Sequence, residues 1–184
     1  MTQKKIIEKL HAAFAEVEAT ANLVPEANFF QRPVTDKWSV AENVEHLFLA
    51  VKPLVGLFGK PDVMLIQWGK SGRASRSYDQ VVATYLEKVG NVGVNAFITS
   101  PDNMSNSKQE LIENLKGINN KFLARTSLFT EQELDMYQVP HPLIGLLTCR
   151  EFLYFTHYHT LRHGETIKKL MSPIQAFPQG KGGV

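Results

Sequence analysis

Three of the chain's six histidines fall within seven positions of the segment FTHYHTLRHGET, residues 155 to 166: His157, His159 and His163. A neutral imidazole is a common metal ligand and a proton-transfer group, so the first question is which of these rings share a face. In a helix each residue turns the side-chain direction by about 100°. By that count His159 and His163 lie one turn apart, among Phe152, Leu153, Thr156, Ile167, Leu170 and Met171. Arg150, Glu151, Arg162, Glu165, Lys168 and Lys169 fall on the other sides. His157 is about 200° around from His159 and points elsewhere.

Two neutral imidazoles on an apolar face each need a partner, because burying a polar group without one costs about 1–3 kcal/mol. A metal ion satisfies both at once. Backbone carbonyls or water would satisfy them too, and an H-x-x-x-H pair alone does not choose between the two. A third ligand would. His46, in ENVEHLFLA, stands at the edge of an apolar arc beside Ala50 and Leu54 and is the best candidate. His11 has charged neighbours, and His141 sits in a Pro-flanked loop.

Four helical segments must position these rings. In residues 3 to 24, Ile6, Leu10, Phe14, Val17 and Ala21 recur at spacings of three and four. The second helix opens at WSVAE, where Ser39 and Glu42 have capping-box spacing, and its stripe is Val40, Val44, Leu47, Val51, Val55 and Phe58. Ser107 and Glu110 repeat that spacing before Leu111, Leu115, Ile118 and Phe122. The fourth helix is expected from about Gly145 to Met171. Residues 60 to 106 form an irregular connection between helices two and three, with GKSGRASRS as a loop and YDQVVATYLEKV as a short helix. The GKS there is no phosphate loop, since Met64 stands where that motif needs glycine. Residues 173 to 184 read as a loosely attached tail. The expected fold is an all-α four-helix bundle in one domain spanning 1 to 184.

Composition agrees with this. Hydrophobic residues make up 43% and charged residues 21%, ordinary for a soluble fold. The formal net charge of +2 spreads over the chain, so no continuous basic surface for nucleic acid is expected. The N-terminus lacks a secretory apolar region, and no stretch reaches the ~20 apolar residues of a membrane helix. A cytoplasmic protein with a reduced lone cysteine, Cys149, packed in the core is the expectation.

DKWSVAENVEHL, followed about a hundred residues later by HPLIGLLTCREFLYFTHYHTLRH, resembles the DinB/YfiT-like superfamily. The resemblance implies a four-helix bundle in which one histidine from the second helix and two from the fourth bind a divalent metal, with positions left open. His46, His159 and His163 match those ligands. Trp38 and Ser39 match the Trp-Ser opening, and His141, Pro142 and Gly145 match the turn before the last helix. Thr166 stands where many relatives have glutamine, on the ligand face by the helical count, and is a candidate contact behind the ligands. Glu42, one turn before His46, is another, although its capping role is the simpler one. The resemblance also implies a small-molecule substrate, in some members with a low-molecular-weight thiol, and a possible homodimer. Three neutral histidines suit zinc or nickel first, then iron or manganese. Three readings follow: a metal-dependent transferase or hydrolase, a bundle stapled by a non-catalytic metal, and a metal-free interaction or dimerisation module. The catalytic residues are not assigned by sequence.

Overall fold

The computed structural model describes residues 1–34, 37–89 and 106–171. Four long helices form the bundle: α1 (Gln3–Leu23), α3 (Val40–Phe58), α6 (Lys108–Thr126) and α8 (Cys149–Met171). Shorter helices α2 (Glu26–Phe29), α4 (Pro61–Trp68), α5 (Tyr78–Val89) and α7 (Glu131–Met136) connect or cover them. α1 packs on α8 and α6, and α3 packs on α6 and α8. Where α1 meets α8, Gly164 admits a close approach, since a Cβ there would lie 3.0 Å from Val17 Cγ2.

The helix starts follow local chemistry. Ser39 Oγ accepts from the Glu42 amide at 3.2 Å while the Glu42 carboxylate accepts from the Ser39 amide at 2.8 Å, so two otherwise unpaired N–H groups are satisfied reciprocally. The same box forms at Ser107 and Glu110. The apolar stripes anticipated for α1, α3 and α6 are buried at Ile6, Leu10, Phe14, Val17, Ala21, Val40, Val44, Leu47, Val51, Phe58, Leu111, Leu115 and Phe122.

Three expectations change. The segment Gly145–Thr148 is a strand, β2, which pairs antiparallel with β1 (Gln138–His141), so the bundle carries a small hairpin and α8 begins at Cys149. Gly145 takes φ 72° where it closes the hairpin against His141, a left-handed conformation that a glycine adopts without strain. Secondly, the connection after α3 holds a helix, α4, before the loop. The anticipated α5 follows, and residues 90–105 and the tail lie outside the described residues. Thirdly, Arg150 and Glu151 are buried rather than outward. Glu151 takes Arg73 Nη1 at 2.5 Å, Arg73 Nη2 at 2.8 Å and the Thr148 amide at 3.1 Å. Burial pushes its carboxyl up, but the Arg73 and Arg76 guanidiniums and two backbone amides outweigh this and hold it at about 2. The GKSGRASRS loop is thus latched onto the start of α8.

Candidate metal centre

The imidazoles of His46, His159 and His163 meet between α3 and α8. His46 Nε2 lies 3.0 Å from His159 Nε2, and His163 Nε2 lies 3.2 Å from His159 Nε2. Ligands around a tetrahedral ion, with bonds of about 2.0–2.1 Å, stand about 3.3 Å apart, close to these separations. The Nε2 atom of each ring faces the same point.

Asn43 fixes the chemistry of one ring. Its Nδ2 donates to Ser39 O at 2.8 Å, which turns Oδ1 toward His163 Nδ1 at 2.7 Å. A carbonyl oxygen only accepts, so the His163 proton sits on Nδ1 and the Nε2 lone pair is left for a cation. His46 Nδ1 is buried with no hydrogen-bond partner. Burial pushes the His46 ring down to about 4 and His159 and His163 well below their ordinary value, with the positive charge of Arg162 adding to the effect on the latter two. All three are neutral at pH 7, the form that ligates. A divalent ion satisfies the converging lone pairs together, and the residues present fit it.

Aromatic rings wall the cluster. Trp38 stacks on His163 at 5.8 Å and meets His46 at 5.0 Å, and Phe155 stacks on His159 at 5.0 Å. Tyr85, from α5, stands edge-on to His159 at 6.2 Å. His141, at the end of β1 rather than in a free loop, packs on Phe155 at 4.4 Å, and its Nδ1 accepts from the Leu143 and Ile144 amides.

Of the other residues singled out by sequence, His157 turns away, its Nδ1 3.0 Å from the Tyr78 hydroxyl. His11 is exposed. Cys149 is buried, donates to Met64 Sδ at 3.8 Å and has its thiol pushed up to about 12 by burial, so it is a core residue and no nucleophile. Glu42 is occupied by the Ser39 amide and the Arg32 guanidinium. Burial raises that carboxyl, but Arg32 and Ser39 prevail and lower it. Thr166 is exposed and donates back to Arg162 O at 3.1 Å, a common use of a threonine hydroxyl within a helix. The role behind the ligands that was expected of Glu42 or Thr166 is filled by Asn43, which sequence reasoning missed. The available signal was a polar residue three positions before His46, on the same helix face.

These features define a class: a bundle of four long helices that gathers three neutral imidazoles from its second and fourth members. The chain belongs to the DinB superfamily, whose family model matches residues 9–167. Among solved structures, YfiT from Bacillus subtilis matches with a TM-score of 0.60, covering 91% of this chain and 85% of its own at 15% identity. YfiT is described as "a probable metal-dependent hydrolase with an unusual four-helix bundle topology". At that identity the likeness bears on the fold. Comparison with curated proteins gave no significant match.

Proposed function

We propose that the protein is a divalent-metal-dependent enzyme that binds one ion through Nε2 of His46, His159 and His163 and acts on a small molecule, by thiol-dependent group transfer in preference to hydrolysis. The observation that carries this reading is the convergence of three Nε2 atoms at 3.0 and 3.2 Å with Asn43 holding the His163 proton on the far nitrogen. A divalent ion with three neutral ligands keeps its full charge and supplies Lewis-acid activation of water or a thiol. Asn43 orients His163, Trp38 and Phe155 keep bulk water from two faces of the cluster, and no nucleophilic cysteine is offered by the protein.

One further point favours an open, reactive site over a structural staple. Structural zinc is closed by four protein ligands, and among the described residues no cysteine, carboxylate or fourth histidine joins the three. Zinc or nickel is the first expectation for the ion, with iron or manganese next. No helix among the described residues is long and apolar enough to cross a membrane.

Elemental analysis of tag-free protein tests the ligand set: one ion per chain is expected, and His46→Ala, His159→Ala and His163→Ala should each lose it. Wild-type occupancy in all three variants refutes the assignment. Metal-loaded protein is then incubated with an electrophile and a panel of thiols, and with generic esters and amides. A metal-dependent rate with thiol supports transfer, one with water alone supports hydrolysis, and neither across a broad panel supports the staple.

A further inference from the structure

Beside the imidazoles stands a cation that, among the described residues, pairs with no carboxylate. The Arg162 guanidinium lies over the Tyr85 ring, 5.7 Å from its centroid. Tyr85 is buried and meets His159 edge-on at 6.2 Å, Phe155 at 5.1 Å and Tyr158 at 6.1 Å. The tyrosine therefore holds the guanidinium one ring away from a ligand imidazole, on the flank of the face that carries His159 and His163. Four other arginines are paired with carboxylates: Arg32 with Glu42, Arg73 and Arg76 with Glu151, and Arg150 with Glu131 and Asp135. Among the described residues, no carboxylate lies within ion-pair distance of Arg162.

The charge balance of the site points the same way. Among the described residues, no carboxylate joins the three imidazoles. Glu42, one turn from His46, is neutralised by Arg32. A divalent ion held by neutral ligands adds further positive charge without a protein anion to balance it. Positive charge left without a carboxylate among the described residues favours an incoming anion, and the planar guanidinium fork matches a carboxylate in two-pronged geometry.

We propose that Arg162, held over Tyr85, is the recognition group for a carboxylate on the molecule that meets the ion, so that the site takes small carboxylate-bearing substrates or thiols over neutral ones. This rests on the metal-centre reading above. The role is binding and specificity, with no proton or bond handled by Arg162 itself.

The test compares two thiols of similar size, 3-mercaptopropionate and 2-mercaptoethanol, titrated calorimetrically into metal-loaded full-length protein of measured metal content. Wild type should bind the carboxylate thiol at least ~10-fold more tightly, the strength of one charge-assisted hydrogen bond. Arg162→Gln should bring that preference close to one while metal content and affinity for 2-mercaptoethanol stay unchanged, which a purely structural role over Tyr85 would not do. Arg162→Lys, which keeps the charge without the fork, should retain part of the preference and carries the test if Arg162→Gln fails to fold. One ion per chain with no preference in wild type, or a preference untouched in the variants, overturns this inference and leaves the metal centre standing. Protein that takes up no ion overturns the metal centre and the inference with it.

Discussion

Replacing Asn43 with leucine removes the acceptor from His163 Nδ1, 2.7 Å away, while keeping a side chain of similar size at a position only 1% exposed. Partners behind metal-bound histidines are worth about 10–100-fold in metal affinity, or about 1.4–2.7 kcal/mol. The metal stabilises the folded state by RT ln(1 + [L]/Kd), about 2.7 kcal/mol with free metal at 100 times the wild-type Kd. After a 100-fold weakening, the same free metal equals the Kd and the stabilisation shrinks to about 0.4 kcal/mol. At about 2–4 °C per kcal/mol for a chain of this size, a chelator should lower the wild-type Tm by about 5–11 °C and that of Asn43→Leu by about 1 °C.

The metal-free protein is affected separately. Asn43→Leu leaves the buried His163 N–H unpaired, which costs about 1–3 kcal/mol without any metal. Asn43→Asp isolates the effect, because it also loses the bond to Ser39 O but keeps an acceptor for His163, now charged. Its metal Kd should be no weaker than that of wild type. The assay is competition against a chromophoric chelator, with circular dichroism to confirm folding. A folded Asn43→Leu protein with the wild-type Kd would show that His163 needs no orientation from Asn43, and the tautomer argument would fall.

His157→Ala should keep the full metal complement, since that ring is engaged with Tyr78; loss of metal there with retention in His159→Ala would refute the face assignment. Glu151, held at about 2 against an ordinary 4.5, contributes stability that is complete above pH 4.5 and lost as pH falls toward 2. Discounted for partial solvent screening, the contribution is about 2 kcal/mol, and urea midpoints between neutral and acid pH should fall less for Glu151→Gln than for wild type. His141 is held at about 4 by burial, below its ordinary 6.5, so the unfolded chain takes up that proton first and stability is lost as pH falls from 6.5 to 4. Proton NMR should find the His141 ring neutral in folded protein at about pH 5, and a charged ring there contradicts the burial argument.

What could be read from the sequence divides according to how far along the chain the relevant physics acts. Capping boxes and apolar stripes are local, so Ser39 with Glu42, Ser107 with Glu110, and the ring pair His159 and His163 fall out of spacing alone. The start of α8 was legible in the same terms and overlooked. Thr148 and Glu151 exchange N–H bonds at 3.2 and 3.1 Å, the capping-box pattern in TCRE, which puts the first helical residue at Cys149 and frees Gly145–Thr148 for the hairpin. The burial of Arg150 and Glu151 was of another kind. A helix period sorts charged residues to the solvent side because an isolated bundle leaves them there. Here a second layer covers that side: α7 brings Glu131 and Asp135 to Arg150, and the loop before α5 brings Arg73 and Arg76 to Glu151. Neither layer leaves a trace in the period of α8.

Asn43 lies between these cases. Its spacing from His46 is local, but its partner His163 is 120 residues away, and only the crossing of α3 with α8 makes an acceptor there useful. The same crossing explains why three histidines on two helices suffice. Neighbours four apart on α8 already align their rings, so α3 has to supply one imidazole and one amide on a single face, three residues apart, to complete both the ligand set and its orientation.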